Sequence, residues 1–134
     1  MNGRAAGIAY LRRRTVSEIL SPEQLEEYID VKEGMGRVRG NKALYKRMLD
    51  MFLNSKEVGE FDSFLKEKNC EEASKSAHAI KGISGNLSLK KLFNVSNDLV
   101  EELRKEIINE EAIAGYYDTL EKTRAAVVQT ISEL

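Results

Sequence analysis

Apolar residues recur along this chain at spacings of three and four, and no window shows sustained strand alternation. The pattern predicts helices throughout. Leu44, Tyr45, Met48, Leu49 and Phe52 share one face of a helix that Asn41 is suited to cap. Val58, Phe61 and Leu65 form a second stripe. Asn69 can cap a third helix running through Ala73, Ala77 and Ile80. Gly85 and Asn86 read as its end, since both tolerate left-handed geometry. Ser88 reads as the next cap, opening a stripe of Leu89, Leu92, Ser96, Leu99, Leu103 and Ile107 that is about five turns long. Ile113, Tyr116, Leu120, Thr123, Val127 and Ile131 make the last.

Ahead of these runs, Ser21-Pro22-Glu23-Gln24 has the form of a helix start. Ser21 can cap, Pro22 suits the first helical position, and Gln24 sits where a capping box needs Glu or Gln. The helix it opens is short, ending near Ile29. Gly34, Gly36 and Gly40 then crowd together and read as a connection. They do not form a phosphate-cradling loop, because the GxxxxGK[ST] spacing is absent and no strand precedes them. Short links between the long helices make neighbours antiparallel. The expected fold is all-α: an antiparallel bundle of four long amphipathic helices with a short additional N-terminal helix.

Composition narrows the function classes. The 134 residues fit one domain with one modest core. Hydrophobic residues at 42% and charged residues at 32% describe a soluble globular chain. With 21 basic and 22 acidic residues the net charge is −1, so no basic excess favours nucleic acid. One cysteine, Cys70, excludes a disulfide framework and any zinc site built from several thiolates, and a reducing, cytoplasmic setting is expected. One histidine, His78, excludes every motif that needs two. No run of 18 apolar residues exists to span a membrane. Residues 1–20 form a basic extension with Arg4, Arg12, Arg13 and Arg14, in the wrong order for a signal peptide. It reads as a loose arm, a lead-in helix or a docking tail. Residues 21–134 are the helical domain. The cluster Glu101, Glu102, Glu106, Glu110 and Glu111 reads as a solvated helix face.

Chemistry concentrates on residues 73–87. On a helical wheel, Ala73, Ala77, Ile80, Ser84 and Leu87 fall on the core side, while Lys81, Gly82 and Gly85 lie within about 60° of His78 on the opposite side. His78 therefore points away from the core in mid-helix. Gly82 is the harder glycine to excuse, since alanine would be favoured there by about 1 kcal/mol. One reason covers the outward histidine, the lysine one turn on and this glycine. Glycine lowers the wall beside the ring so that another surface can approach, lysine supplies positive charge, and a solvated imidazole is available as a nucleophile. A surface histidine without a role remains open on these residues alone. A metal site is poorly served by one imidazole without a carboxylate at i+3 or i+4. A catalytic triad has no second base beside Ser76 or Ser84.

The string Ala77-His78-Ala79-Ile80-Lys81-Gly82-Ile83-Ser84-Gly85-Asn86-Leu87 resembles the signature of histidine-containing phosphotransfer domains, roughly A-H-x-L-K-G-x-[SA]-x-x-L-G. Ala77, His78, Lys81, Gly82, Ser84 and Leu87 carry the match. Gly40-Asn41 followed by Leu44-Tyr45 and Phe52 is similar to the family's GN-x-x-LY lead-in helix, and Phe64-Leu65 with Asn69-Cys70 to the helix and turn ahead of the histidine. The resemblance covers about residues 21–134. Ile80 and Ser88 depart from the usual leucine and glycine, neither on the outward face. Val100 stands about where some members carry a polar residue near the phosphate, so no hydrogen bond from that position is expected.

The resemblance implies a phosphorelay carrier. His78 would accept a phosphoryl group from a receiver-domain aspartate of a response regulator, or of a hybrid histidine kinase, and pass it on. Lys81 would balance the phosphoryl charge, and Gly82 and Gly85 would leave room for the receiver's loops. Mg²⁺ would be supplied by the receiver, with no cofactor or metal on this chain. Phosphoryl transfer needs positioning and charge neutralisation more than covalent apparatus. The chain has no kinase ATP motif and would be a monomeric carrier rather than an enzyme. Two alternatives remain: a helical interaction module that docks response regulators without carrying phosphate, and a detached phosphotransfer domain of a chemotaxis-type kinase.

Overall fold

The computed structural model describes residues 19–134, and the expectations for the arginine-bearing segment before them lie outside the described residues. Among the described residues every regular element is a helix. They are α1 (Pro22–Tyr28), α2 (Val31–Arg37), α3 (Lys42–Leu53), α4 (Lys56–Lys66), α5 (Cys70–Leu87), α6 (Lys90–Glu102) and α7 (Glu110–Glu133).

Several helix starts follow the capping residues. Ser21 accepts from the Gln24 N–H while Gln24 accepts from the Ser21 N–H, closing the box that opens α1. Asn41 accepts from the Leu44 N–H and Asn69 from the Glu72 N–H, so α3 and α5 begin where side-chain oxygens satisfy donors the helix itself leaves unpaired. The chain ahead of α1 is tied to α7 by a reciprocal pair. The Leu20 N–H donates to Gln129 at 3.0 Å and the Gln129 amide returns a bond to the Leu20 carbonyl at 2.9 Å.

The glycine-rich stretch is not a plain connection. Gly34 and Gly36 lie inside α2, which Asp30 caps by accepting from the Glu33 N–H. That bond, together with Lys90 at 3.5 Å, holds the Asp30 carboxyl below the usual carboxylate range. Gly34 is buried because α2 seats on Tyr45, where a Cβ would overlap the ring and hydroxyl. The turn is made later, by Arg39 (φ 53°) and Gly40 (φ 77°), both left-handed.

Helix α5 also runs past its expected end. Gly85 and Asn86 are helical, and the left-handed residue is Ser88 (φ 61°), which closes α5 instead of capping α6. Burial of Leu87 extends the helix, and the last carbonyls find partners. The Tyr45 hydroxyl donates to the Leu87 carbonyl at 3.0 Å, and the Asp30 N–H donates to the Ser88 carbonyl at 2.9 Å. The Ser88 hydroxyl donates to Glu33 Oε1 at 2.8 Å. These bonds offset the cost of a non-glycine residue in left-handed geometry.

The stripe opening at Leu89 is shorter than its periodicity implies. Helix α6 ends at Glu102, and Ile107 is 87% exposed in the link 103–109. Within the acidic cluster Glu102 is buried, paired to Lys105 at 3.2 Å, while Glu101, Glu106, Glu110 and Glu111 are exposed. The cluster therefore spans two helices and the turn between them.

Helix α5 sits at the centre. It packs along α4 and α6 and touches α2 and α3, while α7 closes over α6 and α3. Its inward residues Ala73, Ala77, Ile80, Ser84 and Leu87 are all buried. Small residues at 73 and 77 let the neighbouring helices approach closely. Phe61 and Tyr116 pack with ring centroids 4.8 Å apart, and Tyr117 donates to Asp62 at 2.8 Å, joining α4 to α7. No helix among the described residues is long and apolar enough to cross a membrane.

Candidate functional site on the outward face of α5

His78 lies near the midpoint of α5 and is exposed, as the wheel expects. It makes no hydrogen bond or ion pair among the described residues, so its ring nitrogens face water. Lys81, Gly82 and Gly85 line one shallow depression with it, of about 280 Å³. The four residues that the sequence places on one face are therefore brought together. Arg37, Asn86 and Phe93 complete the lining.

The two glycines behave differently. Around Gly82 a Cβ would meet nothing within 4 Å. Neither packing nor backbone geometry demands glycine there, yet it removes the side chain one turn from the imidazole. Gly59 and Gly115 also stand in open space, so an unhindered helical glycine alone signifies little. The coincidence of one with an exposed histidine and a lysine in the same turn is what distinguishes this spot. At Gly85 a Cβ would lie 3.3 Å from the Phe93 ring, tighter than an ordinary contact. Gly85 thus lets α6 lay that ring against α5.

Phe93 in turn positions the cation. Lys81 Nζ lies 5.6 Å from the Phe93 ring centroid, within the range of a cation–π contact. Lys81 makes no ion pair among the described residues, so its charge is available to an incoming anion. Beneath the site, Ser84 is buried with its hydroxyl donating back to the Ile80 carbonyl at 2.7 Å, and Ser74 donates to the Val100 carbonyl at 3.2 Å. Val100 is buried and its backbone serves packing. These two hydroxyls are satisfied within the bundle, while His78 is exposed on the outside.

Two lining residues escape a reading of the sequence. Arg37 sits in the stretch read as a connection; Asp30 as a cap, with Val31, Met35 and Val38 at helical spacing, is the signal that would have revealed α2. Phe93 lies beside the apolar stripe of α6 and only the α5–α6 packing brings it to Gly85. Next to the site a second depression, mostly apolar, is lined by Met48, Met51, Phe52, Ile83 and Leu87 and shares Asn86 with the first. Met51 is 64% exposed. Among the described residues no group of three or more His, Cys, Asp or Glu could hold a metal ion.

The arrangement presents an unencumbered nucleophilic nitrogen, two cations and no wall on one side. It suits group transfer to or from another macromolecule better than chemistry on a small enclosed substrate. No family model matches the chain, and no curated protein or solved structure matches it significantly.

Proposed function

We propose that this chain is a histidine phosphocarrier of a phosphorelay, accepting a phosphoryl group on His78 from a receiver-domain aspartate and passing it to another. The observation that carries the reading is the open position at Gly82, beside an exposed His78 and an unpaired Lys81. The resemblance of residues 77–87 to histidine-containing phosphotransfer domains supports it. In this reading α5, α6, α7 and the α3–α4 pair act as an antiparallel four-helix bundle, with α1 as the short additional helix.

The transfer asks little of the protein beyond placement. The lone pair of a ring nitrogen, Nε2 in the family, attacks phosphorus. The N–P bond forms as the acyl-phosphate O–P bond breaks, and the aspartate leaves as carboxylate. The ring keeps its other proton, and the positive charge it gains is offset by the phosphoryl oxygens. Lys81 balances part of the remaining anionic charge. The receiver contributes the aspartate and Mg²⁺, and its loops occupy the space that Gly82 leaves open. The apolar depression at Met48, Met51 and Ile83 shares Asn86 with the one that His78 lines and offers a docking partner apolar surface to bury. The carrier is monomeric and cytoplasmic in this proposal.

The deciding experiment is transfer of label from a panel of phosphorylated receivers. The parent is expected to take up label that is acid-labile and alkali-stable, and His78→Gln to take up none. Equal labelling of the variant rejects the proposal. Stable receiver binding without labelling identifies a docking module instead. Labelling by a separate kinase domain with ATP identifies a detached chemotaxis-type phosphotransfer domain.

A further inference from the structure

Arg37 ends α2, on a part of the chain that the histidine helix does not include, yet it lines the same depression as His78 and Lys81. Its ion-pair partner among the described residues is Glu33, one turn back, at 3.4 Å. Both side chains are about half exposed, 51% and 53%, and water competes strongly with pairs that open. Glu33 does not depend on the arginine. The same Oε1 accepts the Ser88 hydroxyl at the shorter distance of 2.8 Å. Arg37 can therefore leave Glu33 without stranding the carboxylate.

We propose that Arg37 is a second, exchangeable cation of the site, leaving Glu33 to donate to the phosphoryl oxygens when His78 is phosphorylated. The inference rests on the carrier reading. A phosphoryl group brings close to two negative charges and three strong acceptor oxygens, and Lys81 supplies one positive charge. The guanidinium fork matches such oxygens two at a time, which an ammonium does not. A dianion outcompetes the single carboxylate of Glu33 for the same donors, so loading the histidine shifts Arg37 across the depression. The end of α2 then responds to the phosphorylation state of α5.

The test removes the receiver from the comparison. Phosphoramidate loads the histidine directly: a ring nitrogen forms the N–P bond, the donor's own P–N bond breaks, and ammonia leaves. Loading rate and phosphohistidine lifetime are measured for the parent, Arg37→Gln and Arg37→Lys, with Arg37 guanidinium resonances followed by NMR in the parent. Arg37→Gln is expected to load about three- to fivefold more slowly, as for a charge-assisted bond at an exposed site. Arg37→Lys should fall between, and the Arg37 resonances should shift on loading. Parent-like loading by Arg37→Gln, or resonances unmoved by loading, overturns the proposal. A folded parent that takes no phosphoryl group on His78 overturns the carrier reading itself, a separate and recognisable outcome.

Discussion

Gly34 and Gly82 both lie inside helices, and the structure surrounds them in opposite ways. At Gly34 a Cβ would collide with the ring and hydroxyl of Tyr45, while at Gly82 it would meet only solvent. The first glycine is required by packing within the chain. The second is not, and it borders the one exposed imidazole. An absent side chain that nothing inside the molecule uses leaves space for something outside it. Gly59 and Gly115 are equally open, and what sets Gly82 apart is the imidazole and the lysine beside it.

The contrast is most easily broken at Gly34. Gly34→Ala is expected to destabilise the fold by about 2–4 kcal/mol, because the methyl must push α2 off Tyr45 or displace that buried ring. A urea titration measures it as a lower midpoint at unchanged slope. A loss under about 1 kcal/mol would show that α2 slides freely on Tyr45, and the distinction between the two glycines would weaken.

A smaller effect sharpens the same region. Tyr45→Phe removes the bond to the Leu87 carbonyl and should cost about 1–2 kcal/mol, since the carbonyl is left without its partner at the end of α5. Burial pushes the Tyr45 hydroxyl up to about 12, with Asp30 and Glu33 adding to the rise. A tyrosine raised above its unfolded value near ~10 stabilises the fold fully below that value. The contribution is lost as pH rises through about 12. Denaturant midpoints should fall on the alkaline side, and Tyr45→Phe should fall less steeply than the parent. Tyr116 and Tyr117 are also raised, mainly by burial, so part of the alkaline loss should persist in that variant. Parallel pH profiles for the two proteins would show that Tyr45 ionisation is not linked to folding.

The two glycines also show how far the sequence is legible. Periodicity located the buried face of α5 and the exposed position of His78, because one helix's own wheel decides both. The caps Ser21, Asn41 and Asn69 were legible for the same reason: each acts on donors within its own helix. Helix α2 is legible only in part: Asp30 and the spacing of Val31, Met35 and Val38 mark it, but a glycine cluster carries the same local signal whether it turns or seats against a ring elsewhere. The end of α5 was misplaced because Tyr45 and Asp30, remote in sequence, supply partners to its last carbonyls. Arg37 and Phe93 reached the site through helix–helix contacts that no local spacing encodes. The acceptor and its immediate neighbours could thus be read from one segment, and the rest of the depression could not.

The least disruptive substitution bears most directly on function. Gly82→Ala is expected to leave the fold intact or stabilise it by up to about 1 kcal/mol, since alanine is the better helix former and the methyl has room. A bulkier change, Gly82→Leu, should preserve helicity yet slow phosphoryl transfer from a receiver, whose loops need the vacant space. Loading by phosphoramidate should stay close to the parental rate, because a donor that small can reach the imidazole past one wall. The two donors together separate hindered docking from a damaged nucleophile. If both slow equally, leucine has disturbed His78 itself. If neither slows, the space beside His78 is not where a partner enters.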